Sequence, residues 1–168
     1  MARTQSIDDK IDTAEKYRGL IEKSNQAAKE KDYSTAVRLA DQALTLNPER
    51  YEAYFAKGGA LTWKGDYAEA EELLTLGINI MNNLNYKSSR VFLPYFYRGF
   101  ARMRQEKYNL ADEDFTKVLE LNHDYKFAYD ARAKVRAALG KHDDAASDRE
   151  KGTLADMNRF TRALEGFR

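Results

Sequence analysis

The sequence predicts an all-α stack of four helical hairpins. Three observations predict it: one stretch holds two helical periodicities separated by a turn, copies of that stretch recur at a near-constant spacing, and apolar stripes extend past both ends of the array. The template stretch is YEAYFAKGGALTWKGDYAEAEELLTLGINIMN, residues 51–82. Tyr54, Lys57, Gly58 and Leu61 recur at helical spacing, Gly65 and Asp66 break the pattern, and Ala70, Leu73, Leu74, Gly77 and Ile78 resume it on a second helix. Gly58 and Ala70 are small enough to let the two backbones approach closely.

Copies of this hairpin share one register. The small residue of the first helix recurs as Ser24, Gly58, Gly99 and Ala133, and the alanine of the second as Ala36, Ala70, Ala111 and Ala145; both series step by 34, 41 and 34 residues. Leu20, Tyr54, Tyr95 and Tyr129 keep step in the first helices, as do Tyr33, Tyr67, Tyr108 and His142 in the second. The copies fall at about 17–50, 51–84, 92–125 and 126–158. Ser6 with Asp9 has the form of a capping box, so the first helix is expected to start there and run through Ile11, Ala14, Leu20, Ile21 and Ala27 to about Lys31, longer than its counterparts. Asp32 opens the second helix, and Asn47-Pro48 closes it because proline lacks the amide and clashes with the preceding turn. The extra seven residues between copies two and three place an insertion at 85–91, either a lengthened helix to about Tyr86 or a loop. Ser88 or Ser89 then caps the next helix, with Pro94 in its first turns. After Asp148 the fourth copy fades, and Leu154, Met157, Phe160, Thr161 and Leu164 continue a helical stripe, so the last helix is expected to reach about Leu164, with 153–166 as a C-terminal cap.

A period near 34 residues with these co-registered small and aromatic positions, and with the ALTLNP ending at 43–48, resembles the tetratricopeptide repeat (TPR) family. The resemblance implies a right-handed α-solenoid of about four TPR helix pairs with extended N-terminal and C-terminal capping helices, in one domain over 1–168. It also implies that Asp114 pairs with Arg132 across neighbouring helices; the alternative is two unrelated surface charges.

Composition narrows the function. With 28 basic and 27 acidic residues the net charge is +1, so no global field draws nucleic acid or an anionic membrane. Cysteine is absent, which removes disulfide and thiol chemistry. The start MARTQSIDDKID has no signal-peptide core and no later apolar run is long enough to span a bilayer, so the expectation is a cytoplasmic protein without membrane insertion. His123 falls in a turn and His142 in the slot of a packing tyrosine, and no metal-ligand spacing surrounds either. The acidic runs at Glu69-Glu71-Glu72, Asp112-Glu113-Asp114 and Asp143-Asp144 sit in the first turns of second helices, where the helix dipole accounts for them. No phosphate-binding glycine loop occurs. The expectation is a non-enzyme with no cofactor and no metal.

The resemblance places partner binding on the concave face made by the first helices. The candidate groove residues are Phe55, Gly59, Trp63, Phe96, Tyr97, Phe100, Met103, Arg104, Phe127 and Lys134. They make a patch more apolar than an isolated monomer usually leaves open. Two readings compete: the patch takes the apolar anchor of a partner protein's peptide or helix, with Arg104 and Lys134 at its rim, or the chain's own helices fill it. Self-association through the groove or the repeat ends, giving a structural scaffold or homo-oligomer, is the alternative function. A TPR subgroup clamps C-terminal carboxylates with Lys, Asn and Arg residues; Asn25 matches one of these, whereas Ile21, Ala56, Leu93 and Tyr97 are uncharged. The favoured reading is an adaptor or chaperone-like module without that clamp.

Overall fold

The computed structural model describes the backbone of residues 2–84 and 90–165 and the side chains of 9–84 and 90–158. Among the described residues there are eight α-helices and no strand: α1 (Ala2–Lys29), α2 (Tyr33–Leu46), α3 (Tyr51–Lys64), α4 (Tyr67–Asn83), α5 (Leu93–Arg104), α6 (Tyr108–Leu121), α7 (Lys126–Ala138) and α8 (His142–Glu165). The chain divides into two compact units, Met1–Tyr86 and Lys87–Arg168. In the first, α1 to α4 pack consecutively and α1 also touches α3; in the second, α5 to α8 do the same and α5 touches α7. In each unit, therefore, the first helices of successive hairpins are neighbours.

The register positions read from the sequence are where the backbones meet. Ala36, Ala70, Ala111 and Ala145 are almost fully buried. A Cβ on Gly58 would lie 2.6 Å from Leu74 Cγ, and one on Gly99 would lie 2.9 Å from the Phe115 ring, so neither position admits a side chain without displacing a core residue. In the first copy the buried Ser24 hydroxyl donates to the Ala36 carbonyl at 2.8 Å. The helix ends also repeat. Lys31, Gly65, Glu106 and Gly140 all have positive φ, between 60° and 104°, and each ends the turn of its own hairpin in the left-handed conformation that closes a helix C-terminus. Asp32 accepts from the Thr35 amide at 3.0 Å as the N-cap of α2. Asn47 is extended ahead of Pro48 and its side chain accepts from the Glu49 amide; Asn122 repeats that conformation at the end of α6 and accepts from Asp124. Pro94 occupies the first turn of α5.

Helix ends differ from the sequence reading at both ends of α1 and, by one residue, at the end of α8. α1 already includes Ser6, having begun at Ala2, so that residue is inside the helix and does not cap it. α1 also stops at Lys29, because Lys31 takes the left-handed conformation. α4 stops at Asn83. The expectations for Tyr86, Ser88 and Ser89 lie outside the described residues. α8 runs to Glu165, one residue past the expected end.

The expected Asp114–Arg132 pair does not form. Asp114, buried on α6, instead accepts from Arg98 (2.6 Å) and Arg102 (2.9 Å) of the preceding helix. The next hairpin repeats the arrangement: Asp148 accepts from Arg132 (2.7 Å) and Arg136 (3.0 Å). Each carboxylate looks back to its own hairpin's first helix. Arg132 additionally donates to Thr116 and Arg136 to Asp112, which ties α7 to α6. Burial pushes the Asp114 carboxyl upward, opposed by hydrogen bonds and charge from Arg98 and Arg102.

Candidate partner-binding surface

The ten groove candidates fall three in the first unit and seven in the second. On α3, Phe55, Gly59 and Trp63 succeed one another at i, i+4 and i+8 and so share one face. Phe55 is half-buried because its ring lies over Gly77 of α4, where an added Cβ would come within 2.6 Å of it, and stands 5.2 Å from the Tyr51 ring. Gly59 is buried, and Trp63 is 50% exposed.

In the second unit the aromatic residues converge on Tyr125, the residue that precedes α7. Its ring lies 4.8 Å from Phe92, 5.2 Å from Phe96 in an edge-on contact, and 5.6 Å from Phe127. Phe96 also meets Phe115 of α6 and Tyr97, each at 5.9 Å. Burial, with the Tyr97 hydroxyl nearby, pushes the Tyr125 phenol up to about 12. Exposure is graded across this cluster. Phe96 is 8% exposed, part of the core; Tyr97, Phe100 and Met103 are half-buried; Phe127 is 56% exposed. Tyr125 and Phe92 were not among the groove candidates because they lie in the turns ahead of helices, where no 3.6-residue period points to them.

The rim is cationic. Arg104 and Lys134 are exposed, and Lys134 has no ion pair among the described residues. Asp130, between Phe127 and Lys134, is engaged by Lys126 at 2.6 Å. The described residues contain no group of three or more His, Asp or Glu side chains placed to hold a metal, and no helix among them is long and apolar enough to cross a membrane. The chemistry available is apolar contact, aromatic stacking and charge pairing.

The tetratricopeptide repeat profile matches residues 27–89. The first TPR of Spaghetti (RPAP3), solved bound to the HSP90 peptide SRMEEVD, superposes with a TM-score of 0.67 at 25% identity, covering 75% of this chain and 94% of that one. The chain is a TPR protein. MamA from Desulfovibrio magneticus RS-1 shares the fold at a TM-score of 0.72 and 20% identity, over 84% of this chain and 76% of that one. RNA polymerase II-associated protein 3 of Xenopus tropicalis is 28% identical over 152 residues, which is 90% of this chain and 21% of that protein. The chain thus spans about a fifth of the length of the curated relatives it matches. As a TPR protein it belongs among protein-interaction modules.

Proposed function

We propose that this TPR protein is a cytoplasmic adaptor or chaperone-like module that captures a peptide or helix of another protein on the exposed faces of its first helices, through apolar anchors and without catalysis. The observation that carries the reading is Phe127: one side of it is held by Tyr125 at 5.6 Å, while 56% of the residue is open to solvent. A ring fixed in this way meets a partner with little further loss of side-chain entropy, as binding hot spots do. Tyr97, Phe100 and Met103 line the same unit's face, with Arg104 and Lys134 at its rim, and Phe55, Gly59 and Trp63 form the corresponding face of α3 in the first unit. Phe96 supports the surface from beneath, since its ring is spent on Phe115 and Tyr125.

A second reading comes from the RPAP3 domain and its SRMEEVD peptide. The residues at the clamp positions argue against it. Asn25 is exposed and polar, but Ile21 packs against the Tyr17–Ala43–Ala53 core and Ala56, Leu93 and Tyr97 supply no cation for a terminal carboxylate. The test is a binding isotherm for a partner segment on wild type and Phe127→Ala, whose helicity is checked by circular dichroism. A loss of about 10-fold or more in affinity is expected; unchanged affinity sinks the surface. SRMEEVD with a free and with an amidated C-terminus should bind equally poorly. Light scattering across a concentration series separates partner capture from self-association.

A further inference from the structure

The charges on the second unit's first helices are one-sided. α5 and α7 together carry seven basic residues, Arg98, Arg102, Arg104, Lys126, Arg132, Lys134 and Arg136, and one acid, Asp130. Four of the cations are committed to buried carboxylates: Arg98 and Arg102 to Asp114, and Arg132 and Arg136 to Asp148. Lys126 neutralises Asp130 at 2.6 Å. Lys134 has no ion pair among the described residues, and Arg104 of α5 is also exposed.

The spacing of these two cations from the aromatics is the same on both helices. Tyr97 precedes Arg104 by seven residues, and Phe127 precedes Lys134 by seven. Seven residues are two helical turns, so aromatic and cation share a face and stand about 10 Å apart along the axis. The turns between α5, α6 and α7 are short, which makes successive helices antiparallel and returns α5 and α7 to one direction. Their N-terminal ends meet at Tyr125, whose ring contacts Phe96 of α5 and Phe127 of α7. The face is therefore apolar at one end and cationic at the other.

We infer that the α5–α7 face of the second unit is specific for a segment carrying an apolar anchor and an internal carboxylate about 10 Å from it, the carboxylate pairing with Lys134. This rests on the peptide-capture reading above and adds the chemistry of the captured segment. A helical ligand meets the spacing with an acid seven residues from the anchor, and an extended one with an acid three residues away, at 1.5 and about 3.3 Å per residue. No free C-terminus is required, because the recognised group is a side chain.

The test is selection from a displayed library of random peptides of about 16 residues, each fused at its C-terminus so that no terminal carboxylate is available. The full chain is the bait, as wild type, Lys134→Glu and Phe127→Ala, with helicity matched by circular dichroism. Wild type is expected to select peptides in which Glu or Asp, three or seven residues from an apolar residue, is enriched at least three-fold over the library. Lys134→Glu should shift that position to Lys or Arg, and 0.5 M salt should weaken the acidic preference. Wild-type peptides with apolar anchors and no acidic enrichment overturn this inference and leave the capture reading standing. Selection that is insensitive to Phe127→Ala, or that recovers nothing, removes the capture reading and this inference together.

Discussion

Replacing Asp148 by leucine puts the buried Arg–Asp network to a quantitative test. Asp148 is fully buried and accepts three hydrogen bonds, from Arg132 Nε (2.9 Å) and Nη2 (2.7 Å) and from Arg136 Nη1 (3.0 Å). Leucine is the residue the first unit itself holds at this register, as Leu39 and Leu73. A hydrophobic side chain therefore suits the backbone position, and any cost arises from the guanidiniums left behind. The Arg132 side chain is only 10% exposed and would lose its bidentate partner, while Arg136 keeps Asp112 at 2.9 Å. Stranding a buried charge costs about 3–5 kcal/mol. Asp148→Asn, which keeps the shape and removes the charge, should cost about 2–3 kcal/mol. In the double variant Asp148→Leu with Arg132→Met both halves of the bidentate pair become apolar, and stability should return to within about 1 kcal/mol of wild type. The assay is urea unfolding followed by circular dichroism at 222 nm, read as a double-mutant cycle whose coupling energy is expected at about 3 kcal/mol or more. If Asp148→Leu alone stays within about 1 kcal/mol of wild type, or the double variant equals the sum of the singles, the carboxylate is not what keeps Arg132 in place.

Three further outcomes follow from the geometry. Gly140 has φ +75° and nothing within 4 Å of an added Cβ, so Gly140→Ala meets only backbone strain and should lower stability by about 1 kcal/mol, whereas Glu106→Gly, at φ 60°, should raise it by about 0.5 kcal/mol; thermal melts of the two should move in opposite directions. The Tyr17 hydroxyl accepts from the Ala53 amide at 3.1 Å, satisfying an otherwise orphaned donor in the first turn of α3, and burial with the Glu52 charge pushes its phenol up to about 12. Its folded pKa lies above its ordinary 10.0, so its contribution is complete below pH 10 and is lost as pH rises through about 12; Tyr17→Phe should cost about 1 kcal/mol at neutral pH and flatten the alkaline loss measured by unfolding at pH 8 to 11.5. Phe96→Ala should cost about 3 kcal/mol or more and Phe127→Ala less than about 0.5 kcal/mol, because the first ring is 8% exposed and the second 56%; equal costs would mean that both rings are core.

The hairpins were legible because close approach of two helices needs a small residue at a fixed place, and Ser24, Gly58, Gly99 and Ala133 mark it with no second interpretation. The Arg–Asp network was equally periodic, since Arg98, Arg102 and Asp114 recur 34 residues later as Arg132, Arg136 and Asp148. It was missed because charged residues on a helix are ordinarily assigned to solvent, and pairing was sought between hairpins rather than within one. The graded exposure of the aromatics was not legible. Phe96 and Phe127 both read as outward-facing apolar positions, and what separates them is Tyr125, which reaches over Phe96 from an inter-hairpin turn where no periodicity fixes a side chain's direction. The N-terminus of α1 failed for a related reason: Ser6 and Asp9 have the form of a cap, yet the helix already includes them.

The difference between the units bears on where recognition is concentrated. At the register where Asp114 and Asp148 gather two arginines each, the first unit has Leu39 and Leu73, and its Lys57 turns instead to the exposed acids Asp41 and Glu69 at 2.9 Å each. The Lys57 side chain is only 15% exposed, but both of its acids are about half exposed, so these pairs hold their helices less firmly than a buried carboxylate does. The buried, multiply bonded arginines of α5 and α7 are fixed from behind, on the same helices that present Tyr97, Phe100, Met103, Phe127 and Lys134. Side chains on helices fixed in this way lose less entropy when a partner docks, so each contact returns more affinity. On that reasoning Asp114→Asn weakens partner binding through α5 although Asp114 is 2% exposed and cannot itself be touched. Its effect should appear as a faster dissociation and a salt-independent loss of affinity, in contrast to Lys134→Glu, which should slow association and whose loss should fade as salt is raised.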